Sequence, residues 1–216
     1  MQVQKIWMAL TGFFLCLFLV IHLLGNLQLL LPAEKARESF NWYSHFLSEN
    51  ILIKLIEVVL LASILGHVFF ALVLTIRSRK ANGHKYAYDR RGVSSKWYSR
   101  NMGLLGTIIL LFLVIHLKDF WYQYKFTTLP LDEKGHKDLY SIVVAAYQEW
   151  WYVLLYLAGM VALGFHLLHG FFSAARTLGL YHPGYVRLVR VTGWFYTGIM
   201  TVGFMVIPVY IHLING

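Results

Sequence analysis

His22, His67, His116 and His169 each lie inside a different long apolar stretch of this 216-residue chain. Neutral imidazole is a strong nitrogen ligand for transition metals, haem iron included. Two imidazoles facing one iron close both axial positions, leaving the metal to pass electrons rather than bind oxygen. Ionisable side chains are costly within a bilayer, so they mark function there by default. Two such pairs at two depths would form a two-haem electron path across a membrane.

The elements that must carry these histidines are membrane helices. The chain is 58% hydrophobic and 13% charged, with a mean hydropathy of +0.58. That leaves too little polar surface to cover a soluble core. About 20 mostly apolar residues are needed to span a bilayer. Five stretches qualify, roughly 6–31, 51–76, 101–124, 148–175 and 191–214. The expected fold is an all-α transmembrane bundle of five helices, one membrane domain over 1–216. Lys118 and Asp119 interrupt the third stretch, and the aromatic run after them reads as an interface belt. The first stretch is too long for the apolar part of a cleavable signal peptide. The single cysteine, Cys16, excludes a disulfide framework or a cysteine metal cluster within the chain.

Charge orients the spans. Residues 77–100 carry eight of the nineteen basic residues, and 176–190 add Arg176, Arg187 and Arg190. The positive-inside rule puts both segments and the N-terminus in the cytoplasm, with the C-terminus outside. The outer loop 125–147 is long enough for a short surface helix, and residues 181–184 form a turn. Glu57 and Lys54, one turn apart, read as an interfacial ion pair.

Depth can then be counted along each helix. His22 lies 17 positions beyond Lys5, and His116 lies 16 beyond Arg100, so both fall in the outer half. His67 precedes Arg77 by 10 positions and His169 precedes Arg176 by 7, so both fall in the inner half. The two levels differ by roughly 10–12 Å at 1.5 Å per residue. His166 shares a helix face with His169. Depth slightly favours His166, and the residues alone leave both open as partners of His67.

Six segments carry a resemblance: IHLLGNLQ (21–28), FNWYSHFL (40–47), GHVFFAL (66–72), SRNMGLLG (99–106), IHLKDFW (115–121) and HLLHGFFSAARTLGL (166–180). Their order, over nearly the whole chain, resembles the cytochrome b membrane-anchor subunit of succinate:quinone oxidoreductases and quinol:fumarate reductases, of the single-polypeptide, five-helix, two-haem type. The resemblance implies two haem b groups, the outer on His22 and His116, the inner on His67 and His169. The fourth-helix ligand it implies is the histidine followed by glycine, which selects His169 over His166. It also implies a quinone, usually menaquinone, near the outer haem. Flavoprotein and iron–sulfur subunits would dock on the cytoplasmic side of a bacterial inner membrane, in a complex that can dimerise. No nucleic-acid partner is expected. The anchor of a hydrogenase or formate dehydrogenase is the alternative reading. A third is a haem-free transporter with histidines in a proton path.

The chain itself offers no catalytic residue, no flavin fingerprint and no cysteine cluster, so it cannot oxidise succinate alone. Quinone candidates by position are Gln28, Tyr43, His45 and Glu49, which offer hydrogen-bond donors and proton acceptors. Candidates to meet haem propionates are Ser99, Arg100 and Arg176 inside and Lys118 outside. Some fumarate reductases carry a proton-relaying glutamate two positions before the ligand histidine, where this chain has Leu167.

Overall fold

A computed structural model describes residues 2–81 and 96–215. Lys85, Asp89, Arg90 and Arg91 of the basic segment, and His84, lie outside the described residues. Helix α1 is Gln2–Asn26, α2 Ala33–Glu49 and α3 Ile51–Ala81. A single turn, Trp97–Arg100, leads into α4, Met102–Phe126. Then come α5 (Leu139–Gln148), α6 (Trp150–Thr177) and α7 (Val186–Asn215). Among the described residues no strand forms, apart from one isolated antiparallel bridge between Leu131 and Lys137. Five helices, α1, α3, α4, α6 and α7, are long and apolar enough to cross a membrane.

The spans alternate in direction, as their end contacts record. Arg77 at the end of α3 donates to Gln4 at the start of α1, 2.6 Å away. Glu57, near the start of α3, accepts from Trp121 and Lys125 at the end of α4, at 2.5 and 2.8 Å. Glu57 therefore pairs with the next span; Lys54 instead lies 3.9 Å from Glu49. The bundle thus has a basic end, where α1 begins, and a capped end, covered by α2 and α5. Helix α6 is the core element. Ten of its residues are buried, and it packs against α1, α4 and α7.

Between the first two spans, Ala33–Glu49 form a 17-residue helix that starts after Pro32, whose carbonyl accepts from the Ala36 N–H, and that buries Ala36 and Phe40 on one face. Helix α4 runs through its charges, as its span in the sequence implies, widening to a π-helical turn over Leu117–Tyr122. Such turns insert an extra residue without breaking the helix and occur often at functional sites.

Candidate functional site: two facing histidine pairs

Toward the capped end, the His22 ring of α1 and the His116 ring of α4 stand 5.7 Å apart, centre to centre, at 90°. Toward the basic end, His67 of α3 meets His166 of α6 at 6.2 Å and 61°. A metal–nitrogen bond of about 2 Å, plus ~1 Å from nitrogen to ring centre, puts two imidazoles on one metal about 6 Å apart. Both pairs have that spacing. Along α1, His22 lies ten residues beyond Gly12, which abuts His67. The two levels are therefore about 15 Å apart along the helix.

The ring that faces His67 is His166, not His169. His169 lies one turn nearer the basic end, toward Arg176. Three residues advance a helix by about 4.5 Å, which is enough to move an imidazole out of the His67 level. The level count was ambiguous here, and the structure brings the earlier histidine into place.

Hydrogen bonds determine which nitrogen is left to bind. Tyr152 donates its single hydroxyl proton to the Asp119 carboxylate, 3.0 Å away. Its oxygen then accepts from Tyr156, at 3.3 Å. The Tyr156 oxygen in turn accepts from His116 Nδ1, at 3.1 Å. With Nδ1 protonated, the lone pair of His116 is on Nε2. The same logic holds for His67. Thr11 donates to the Trp7 carbonyl at 2.8 Å, so its oxygen accepts from His67 Nδ1 at 3.3 Å. One histidine of each pair is thus held by its neighbours in a metal-binding tautomer. His22 Nδ1 has only a long contact, 3.5 Å, to Asn26. His166 Nδ1 is buried without a hydrogen-bond partner, a state that costs about 1–3 kcal/mol unless compensated.

Two imidazoles do not make a metal site by themselves. No group of three or more His, Cys, Asp or Glu placed to hold a metal occurs among the described residues. The missing ligands must come with the metal, as they do in a flat tetradentate macrocycle. Close contacts run α1–α3, α1–α6, α4–α6 and α6–α7, whereas the helices that share a histidine pair, α1 with α4 and α3 with α6, are not closely packed. Gly12 and Gly106 lie beside the rings nearer the basic end. Phe18, Phe112, Phe120 and Phe204 surround the pair nearer the capped end and keep it apolar. The residues present therefore fit a bis-imidazole haem at each level.

The other candidates are dispersed. Gln28 donates to the Gly25 carbonyl at 3.2 Å, and the Tyr43 ring lies against Gly25. Burial raises the Tyr43 pKa. The His45 ring lies 4.8 Å from the His136 ring, tilted at 40°. Glu49 is with Lys54. Gln28 and Tyr43 thus share one place, while His45 and Glu49 have other partners. Lys118 bonds Asp119 at 3.1 Å, and Arg176 covers the Tyr181 ring at 4.9 Å. Ser99 and Arg100 lie in the turn that enters α4. Sequence reasoning missed Thr11, Tyr152, Tyr156 and Asp119. The first three look like ordinary helix-face residues, and Asp119 looked like the edge of an interface belt. The chain matches no family model, no curated protein and no solved structure.

Proposed function

We propose that this chain is the dihaem cytochrome b anchor of a succinate:quinone oxidoreductase or quinol:fumarate reductase. The observation that carries the reading is the pair of facing imidazole pairs, His22 with His116 and His67 with His166, at two levels of a five-span bundle. When bound, haem supplies one-electron oxidation and reduction at each level. The chain's own residues do the rest. His22 with His116 and His67 with His166 would hold the two haems, with His169 a neighbour of the inner site. Thr11 and Tyr156 orient two of the rings, and the phenylalanines exclude water from the outer pair. The basic end faces the bacterial cytoplasm and receives the iron–sulfur and flavoprotein subunits. Quinone, menaquinone in this reading, would exchange electrons toward the capped end, where Gln28 and Tyr43 lie together at Gly25 and His45 and Glu49 lie apart from them.

The test is haem content per chain, by pyridine haemochrome and reduced-minus-oxidised spectrum. The parent holds two b haems. His22→Ala and His116→Ala each lose one, His67→Ala and His166→Ala each lose the other, and His169→Ala keeps both. A membrane-folded parent without haem overturns the reading and favours a transporter. Loss at His169 with retention at His166 overturns the inner assignment alone. Co-purification of hydrogenase or formate dehydrogenase subunits with a dihaem chain would favour that kind of anchor.

A further inference from the structure

The two histidine levels differ in where their outer hydrogen bonds end. At the inner level, His67 donates to Thr11, whose own proton goes to a main-chain carbonyl. At the outer level, the chain from His116 through Tyr156 and Tyr152 ends on a carboxylate. Tyr152 and Tyr156 are buried, so the chain passes through the apolar core before reaching Asp119. The Asp119 side chain is about one quarter exposed, and its second oxygen accepts from Lys118. It borders an outer groove with Gln123, Glu149 and Tyr152. The π-helical turn that holds Asp119 starts directly after His116. Helix α4 thus supplies both the imidazole and the carboxylate at the two ends of a chain that runs through α6.

We propose that Asp119 is a positioning residue for His116, acting through Tyr152 and Tyr156 to lower the reduction potential of the outer haem. This inference rests on the haem reading above. The order of donors is fixed by chemistry. An ionised carboxylate only accepts, and each hydroxyl has one proton. Every proton in the chain is therefore displaced toward Asp119. Hydrogen bonds in such a chain polarise one another, and a charged end strengthens them. Pulling on the Nδ1 proton makes Nε2 a stronger electron donor, as carboxylate partners do for metal-bound histidines generally. A stronger donor favours the ferric state.

The test is a potentiometric haem titration of the intact complex in membranes, with the outer wave identified by its absence in His22→Ala. In Asp119→Asn and in Tyr152→Phe the outer wave moves upward, by about a tenfold change in the oxidised-to-reduced ratio. For a one-electron couple that is about 59 mV. The inner wave does not move, and Asp119→Glu returns the outer wave toward the parent. A carboxylate band in the redox difference infrared spectrum disappears in Asp119→Asn. If both variants keep two haems with the outer wave unmoved, the proposal is overturned while the haem reading stands. If Asp119→Asn loses the outer haem, Tyr152→Phe, which removes one oxygen, decides. A parent without haem overturns both.

Discussion

Gly159 shows how single residues set the outer histidine pair. A Cβ built there would lie 2.8 Å from the Phe112 ring, closer than carbon atoms tolerate. Phe112 in turn stacks on His116 at 5.7 Å and meets Tyr156 edge-on at 4.9 Å. Gly159→Ala must push that ring toward the imidazole or separate α4 from α6. Overpacking of this kind costs about 1–3 kcal/mol. The expected outcome is a lower melting temperature in detergent and, on the proposed dihaem reading, preferential loss of the outer haem, read as a fall from two haems per chain toward one. Equal loss from both levels would mean that the damage is global. The sequence shows which glycines lie in the apolar stretches, but not which ring each one admits. Spacing along one helix carries no information about the side chain opposite. The same limit left His166 and His169 unresolved: they share a helix face, and only the partner's height separates them.

At the scale of elements, the capped end is held by a polar cluster between α2 and the outer loop. Asn41 is fully buried. It donates to Asp138 at 3.0 Å and accepts from the Tyr140 main-chain N–H at 3.0 Å. Arg37 reaches the other Asp138 oxygen at 2.5 Å, and the same carboxylate caps the start of α5 by accepting from the Ser141 main-chain N–H and hydroxyl. Asn41→Ala leaves the Tyr140 N–H and one Asp138 lone pair without their partner. That costs about 1–3 kcal/mol per buried group and should speed hydrogen exchange over residues 139–148. Exchange at the parent rate would show that the cluster does not hold α5. The cluster also predicts an acid limit. Burial by itself would raise the Asp138 pKa, but hydrogen bonds from Ser141, Asn41 and Arg37 outweigh it and hold the pKa below its ordinary 3.8. Burial likewise opposes the main-chain and Asn41 bonds that lower Asp132. A depressed folded pKa gives stability that is present above 3.8 and lost as pH falls through the lower folded value. The docking of α5 should therefore persist at pH 5 and loosen below about pH 4, detectable as faster exchange of the same amides. Unchanged protection down to pH 2 would show that the carboxylates contribute nothing. None of this cluster was legible beforehand, since Asn41 and Asp138 lie 97 residues apart and look like loop polar residues.

For the whole molecule, composition and apolar run length were sufficient to read five helices, because a bilayer admits few alternatives to an uninterrupted helix. The run ends were less legible. Lys118 and Asp119 interrupt the third apolar run, yet their charges are met by each other and by Tyr152, so the helix continues through them to Phe126. Orientation is a separate question. It rests on charge asymmetry, because the two ends of the bundle are otherwise both polar. The basic end includes Lys96, Arg100, Arg176, Arg187 and Arg190, whereas the capped end mixes signs, as in the Arg37–Asp138 and Lys134–Glu38 pairs. Loop lysines and arginines resist translocation, and acidic residues counteract them little. In a Cys16→Ser background, Glu133→Cys tests the capped end and His182→Cys the basic end, both at exposed positions. An impermeant maleimide should label Glu133→Cys in intact cells, and His182→Cys only after the membrane is opened. The reverse pattern would put the basic end outside. The iron–sulfur and flavoprotein subunits of the proposed function would then have to dock on the α2–α5 cap, and the His67–His166 pair would be the one farther from them.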